Sequence, residues 1–207
     1  MGWRSFLFTL LLIASLAAWA DDTAASHSDI QAGLRHRYPN CKLGTVQLRD
    51  MWAVAMSQDP SGPRQHLMHR FENRWEVIVS APAIPAATLS VYGVPKKSWQ
   101  PLLGRPLSPK ELAEATQCAD QRAWAWTSQR EVTEDDCAGR SVWELLLMRN
   151  EILAFHGRPF VDPELARYFR SRGWYKPNPG YDAATLNQIE TDNAEFILYY
   201  LLSQRHF

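Results

Sequence analysis

The spacing of apolar side chains changes period along the chain, and each change marks an element. Ile30, Leu34 and Tyr38 recur at helical spacing, with Ser28 available as a cap, which predicts a helix over residues 27–38. From Val46 the period drops to two. Val46, Leu48, Trp52, Val54 and Met56 then share one face of an extended run, with Asp50 the exception. Asp59, Pro60, Ser61, Gly62 and Pro63 form a turn signal. A second strand is expected over His66–Phe71, a tight connection at Glu72-Asn73, and a third strand in which Trp75, Val77 and Val79 alternate. Together these predict a helix packed on a small antiparallel β-meander.

The proline-rich stretch from Ala81 to Pro101 carries no long period. It reads as a loop with one turn of helix near Leu89 to Tyr92, followed by a linker. Beyond it the pattern is helical. Ser108-Pro109-Lys110-Glu111 is a capping box with proline at the first helical position, and Ser141-Val142-Trp143-Glu144 is a second box. Asp162-Pro163-Glu164 starts another helix that Gly173 can end, and Asp182 starts a last one running to about Leu202. The expected class is α+β: an N-terminal helix on a small antiparallel β-meander, then an all-α four-helix C-terminal domain. The boundaries drawn are 1–20 for a signal peptide, 26–101 for the α+β part, 102–129 for a linker and helix, and 130–204 for the helical domain.

Residues 1–20 are set apart by their own pattern. Arg4 supplies a positive start, Phe6 to Leu16 is apolar but for Thr9 and Ser15, and Ala18-Trp19-Ala20 is a small-x-small cleavage site before Asp21. The apolar run is shorter than the ~20 residues that span a bilayer. A cleaved, periplasmic or secreted chain is expected, without a membrane span. That compartment is oxidising. Of the three cysteines, Cys118 and Cys137 are nearest in sequence and are expected to form a disulfide, leaving Cys41 unpaired; three reduced, buried thiols are the alternative.

Charge and composition narrow the function classes. Lys and Arg number 22, as do Asp and Glu, and no long basic run occurs, so nucleic acid is not an expected partner. The cysteines lack metal-ligand spacing, and His66 and His69 fall on opposite faces of a strand, so no metal site is expected. Gly-x-Ser-x-Gly, His-Glu-x-x-His and a glycine-rich phosphate loop are all absent from the sequence. The chain is read as non-enzymatic, with no cofactor.

Three features of the helical part invite a functional reading. On the Ser141–His156 helix, Leu145, Met148, Ile152 and Phe155 form the apolar stripe, and Arg149 and His156 fall inside it. On the last helix, Glu190 and Asn193 fall inside the stripe of Leu186, Ile189, Phe196, Ile197 and Tyr200. If the stripes meet, Glu190 is the natural acceptor for Arg149, and Asn193 satisfies His156 or a backbone group. This is either a purely structural network or a polar pocket. Next, Tyr168, Phe169, Trp174, Tyr175 and Tyr181 cluster near Arg167, Arg170, Arg172 and Lys176. Aromatic faces beside cations suit sugars and carboxylates, so Tyr168, Trp174, Tyr175, Arg170 and Lys176 are a candidate ligand surface; the alternative is a cap on the core with solvated charges. Finally, Trp143, Leu147 and Ala154 point away from the main stripe. A helix apolar nearly all round must be covered on both sides, by the N-terminal part or by another protein.

The segment from Arg130 to about Gln204 resembles the YARHG domain, a small module of exported bacterial proteins. Arg130-Glu131-Val132-Thr133 through Asp136 resembles the entry motif, Trp143 to Ile152 the core helix, and Leu153-Ala154-Phe155-His156-Gly157 the name-giving Tyr-Ala-Arg-His-Gly. Phe160, Leu165, Tyr168-Phe169 and Trp174-Tyr175-Lys176-Pro177 follow in order, then Leu186, Glu190 and Asn193. Leu153 replaces the motif's tyrosine, Phe155 its arginine, and Cys137 a usual leucine. The resemblance implies a four-helix, envelope-located module that binds peptidoglycan. The expected function is therefore an exported, non-enzymatic envelope protein contacting peptidoglycan, with a periplasmic protein-partner-binding role as the alternative.

Overall fold

The computed structural model describes residues 27–59 and 62–204. The expected signal peptide and its cleavage site lie outside these residues. Helix α1 covers residues 27–37. Four strands follow, β1 Lys42–Arg49, β2 Trp52–Asp59, β3 Gly62–Phe71 and β4 Arg74–Ala81, in one antiparallel sheet in chain order.

The sheet corrects two features of the expected meander. The run from Val46 to Met56 is two strands, because Asp50 turns the chain at φ 54° and pairs Leu48 with Ala53. That pairing places Val46 and Leu48 on the α1 face, while Trp52 and Val54 take the opposite face. The alternation of Trp75, Val77 and Val79 also breaks. The ladder shifts between Leu67 and Met68, Val77 pairs with Met68 and Val79 with Leu67, so Ile78 is the extra residue of a bulge. Trp75 and Val77 face α1; Ile78 and Val79 belong to the other side.

On the α1 face, Ile30 and Leu34 pack over Ala53, Ala55, Met68, Trp75 and Val77. The two alanines keep that surface low, and Gly33 lets the helix touch β4: a Cβ there would lie 2.1 Å from the Trp75 carbonyl oxygen.

The stretch expected to be a loop and linker is helical. It forms α2 Ala86–Val91, a 3-10 turn Lys96–Ser98, and α3 Trp99–Leu103. Its prolines do not break helices because Pro85 and Pro95 sit at helix caps and Pro101 in the first turn of α3, where no N–H is needed. Leu89, Trp99 and Leu102 are buried with Trp52, Val54 and Leu67 on the second face of the sheet.

Then come α4 Pro109–Ala119, a 3-10 turn Ala125–Ser128, α5 Glu134–Cys137, α6 Val142–Phe155, α7 Pro163–Arg170, a 3-10 turn Ala183–Thr185 and α8 Gln188–Gln204. The capping boxes at Ser108 and Ser141 form as the sequence predicts, and Thr133 with Asp136 makes another. Asp162 caps α7, which ends at Arg170, earlier than Gly173 suggested. Asp182 caps the 3-10 turn, not α8. The start of α8 belongs to Asn187, whose Oδ1 accepts Glu190 N at 2.9 Å while Glu190 Oε2 accepts Asn187 N at 3.0 Å. The architecture is α+β, with four helices in the C-terminal part.

One core joins the sheet to these helices and crosses the segment around residues 101–108. Both sides of α6 are covered from within the chain: Trp143, Leu147 and Ala154 are buried. The joint between sheet and helices is aromatic. His69 on β3 lies between Trp52 (4.4 Å) and Trp143 (4.6 Å), and its Nε2 meets Glu164 Oε1 of α7 at 2.8 Å. His66 occupies the opposite face under Tyr38, between the hydroxyls of Ser57 (2.7 Å) and Ser80 (2.6 Å).

Candidate functional site

The four polar residues expected to form a network inside the helical part are near one another, but their pairing differs from the expectation. Glu190 does not bind Arg149. Its Oε2 accepts from His156 Nε2 at 2.8 Å and from Asn187 N, and Ser128 also bonds to it. A carboxylate only accepts, so the proton sits on His156 Nε2. Burial pushes the Glu190 carboxyl up, but the bonds from His156, Ser128 and the Asn187 backbone outweigh it and hold it below the usual carboxylate value. Arg149 Nε donates to the Ala194 carbonyl at 3.0 Å instead, and burial with Arg158 nearby lowers its guanidinium. The geometric reason is capping: Glu190 lies in the first turn of α8 and is held there by Asn187, facing the end of α6 and not its middle.

Asn193 does not reach His156. Its side chain takes Val132 N (2.7 Å) and donates to Thr127 O (2.7 Å) and Arg130 O (2.8 Å). It clips the segment before α5 onto α8. Glu151 does the same work on the other flank, and the wheel did not single it out. Its side chain is sealed from water and accepts Ala123 N (2.9 Å) and Trp124 N (2.8 Å), with Arg122 Nε at 3.5 Å. Burial raises its carboxyl despite these bonds. The available signal was the helix itself: an α6 apolar nearly all round leaves no solvent face for a glutamate.

Gly157 ends α6. Its φ is +84°, its N–H bonds Ala154 O and Arg158 N bonds Leu153 O, the pair of bonds that closes a helix in a left-handed turn. Its carbonyl takes Asn178 N at 2.8 Å, and a Cβ on Gly157 would come within 2.9 Å of Asn178 Cβ. Leu153, in place of the motif's tyrosine, is buried; Phe155, in place of its arginine, is half exposed under the Arg122 guanidinium at 4.1 Å.

The expected ligand surface is mostly core. Tyr168 and Tyr175 are buried, with their hydroxyls on Val91 O (3.0 Å) and Arg158 O (2.8 Å), because Phe169 sits between them, 4.8 Å and 5.8 Å from their rings. Trp174 is half-buried; Arg170 and Lys176 are exposed. The expected Cys118–Cys137 disulfide is not formed, and none of the three cysteines is disulfide-bonded. Cys137 is fully buried in the core that α5 caps, whereas Cys118 lies outside that core on α4.

Sequence reasoning missed a cavity of about 300 Å³ where α7 meets the α2–α3 connection and α4. Val94, Pro95 and Trp99 give it an apolar wall; Lys96, Arg167 and Arg172 bring positive charge. Arg172 is only 5% exposed. Its Nη2 donates to Ser90 O at 2.7 Å, its guanidinium lies 4.0 Å from the Tyr168 ring centre, and its Nε has no hydrogen-bond partner. A larger groove, about 520 Å³, runs between α1, β4 and the start of α6, where Glu76 accepts Val142 N at 2.8 Å and Arg37 donates to Gly139 O. Arg140 and Ser141 in its lining turn to Glu144, which caps the start of α6.

Residues 121–200 match the family model described as the YARHG domain. The match begins before Arg130, and the clamps explain why: Glu151 and Asn193 tie residues 123–130 to α6 and α8. Comparison with curated proteins and with solved structures gives no significant match. No described helix is long and apolar enough to cross a membrane.

Proposed function

We propose that this chain is an exported, non-enzymatic protein of the cell envelope that binds peptidoglycan through its YARHG domain. The observation that carries the reading is the YARHG match over residues 121–200, joined to the export pattern ending in Ala18-Trp19-Ala20. The polar residues of the domain's core support a rigid binding scaffold and not a reaction centre. Glu190, Asn193 and Glu151 are each committed to hydrogen bonds that hold segments together. Ligand contact therefore falls to side chains at the rim of the helices, among them the exposed Arg170 and Lys176. The test is retention of the mature protein on purified sacculi, with dye release from labelled sacculi as the control for hydrolysis.

The second reading is a periplasmic partner-binding role. It is favoured by Leu198, Tyr199 and Leu202, which leave an apolar strip exposed along α8. A chain with this role stays in the supernatant in the sacculus experiment.

A further inference from the structure

We propose that the cavity between α7, α4 and the α2–α3 connection is a binding site for the carboxylate of a small ligand with an apolar or sugar body, with Arg172 as the anchoring cation.

A guanidinium taken out of water is stabilised by a hydrogen-bonded anion, and without one it carries a desolvation cost. Arg172 is 95% removed from solvent in the sense that only 5% of it remains exposed. None of the ion pairs among the described residues includes it. The fold gives it one carbonyl, Ser90 O, and the face of Tyr168, and leaves Nε without a partner. Of the five N–H donors of a guanidinium, the fold thus leaves capacity for a planar, two-oxygen acceptor.

The surroundings match that acceptor. Lys96 is exposed at the rim and Arg167 is half-exposed, its Nη2 held by Glu164 at 3.2 Å. Two of the nearby carboxylates are otherwise engaged: Glu164 also takes His69, and Glu151, which interacts with Arg172 only at a distance, binds the Ala123 and Trp124 amides; Asp120, against Gly173, makes no ion pair with Arg172. Trp99 and Val94 form the apolar side, with Trp99 Nε1 bonded to Val94 O at 2.8 Å, so the indole presents its body and not a free donor. A cavity of about 300 Å³ is at the small end of ligand sites. Its walls come from both the segment before the YARHG match (Ser90, Val94, Trp99, Thr116) and the match itself (Arg167, Arg172), so the site needs both.

The carboxylate chemistry stands on this geometry alone; only the choice of probes rests on the peptidoglycan reading. Two sources are available in that polymer, the lactyl carboxylate of N-acetylmuramic acid and the terminal carboxylate of a peptide. The experiment titrates the full mature chain with N-acetylmuramic acid, with N-acetyl-D-alanyl-D-alanine, and with their uncharged counterparts, N-acetylglucosamine and the dipeptide amide. Intrinsic tryptophan fluorescence and calorimetry report binding. The expected result is that at least one carboxylate binds about tenfold or more tightly than its uncharged counterpart. Arg172→Gln removes that preference, and Lys96→Ala, at an exposed position, weakens it while leaving the fold intact by circular dichroism. Whichever acid binds identifies the source. Equal binding of acid and neutral forms, no binding of either acid, or a preference that survives Arg172→Gln in a folded protein overturns the proposal. If both acids fail while sacculi still retain the protein, the cavity assignment falls and the peptidoglycan reading stands; if an acid binds and sacculi do not, the reverse holds.

Discussion

His156 donates from Nε2 to Glu190 Oε2 at 2.8 Å, and this bond closes the last residue of the α6 turn onto the first turn of α8. It replaces the Arg149–Glu190 pair that the helix wheel favoured. His156→Ala leaves a carboxylate that is 2% exposed short of a charge-assisted bond, so a loss of about 2 kcal/mol is expected. Arg149→Ala and Glu190→Gln should add without coupling, whereas His156→Ala and Glu190→Gln should couple in a double-mutant cycle by urea unfolding.

The same pair sets a pH dependence. The Glu190 carboxyl is held below its ordinary 4.5, so its contribution is complete above that value and is lost as pH falls through the lowered one. Glu76 and Glu151 have the opposite sign: burial raises both, and their protonation on acidification relieves a cost. Comparing the wild type with Glu190→Gln isolates the first effect. The stability gap should narrow from neutral pH to below about 4. A gap that stays constant contradicts the assignment.

Gly157 is fixed by two demands, and they can be separated. Gly157→Ala puts a Cβ at φ +84° and within 2.9 Å of Asn178 Cβ. Gly104→Ala meets a comparable left-handed backbone, φ +66°, with nothing within 4 Å. The Gly104 variant should lose about 1 kcal/mol and the Gly157 variant roughly 2–3 kcal/mol, both by thermal or urea unfolding.

Much of this was legible in the sequence because it is local. The caps at Ser108, Ser141 and Asp162 follow from side chains bonding amides two or three residues away. The burial of Glu190 and Asn193 followed from the stripe on α8. The partners did not. A wheel gives the face of a helix but not which turn of the neighbour it meets, so it pairs Glu190 with Arg149, whereas the capping by Asn187 turns it to His156. Val46 and Trp52 shared a period but not a face, since a turn at Asp50 resets the parity. The prolines of residues 81–101 read as a linker because the role of Pro85 and Pro95 as helix caps depends on the core behind them.

The thiols give a fourth test. Burial pushes the Cys137 thiol up to about 11, and it lies wholly inside the core. In folded, unreduced protein, alkylation should modify Cys118 readily and Cys137 only after denaturation, with mass spectrometry then counting three modified cysteines. A Cys118–Cys137 crosslinked peptide contradicts the structure.

Asn193→Ala removes one side chain that serves three backbone groups, Val132 N, Thr127 O and Arg130 O. A loss of roughly 3 kcal/mol is expected, and hydrogen exchange should rise first in residues 127–132.

Co-sedimentation of the mature chain with purified sacculi bears most directly on the proposed function. Binding should saturate, and it should fall when the glycan is first digested with a muramidase. A chain that stays in the supernatant at every sacculus concentration, or that pellets equally with digested material, contradicts peptidoglycan binding.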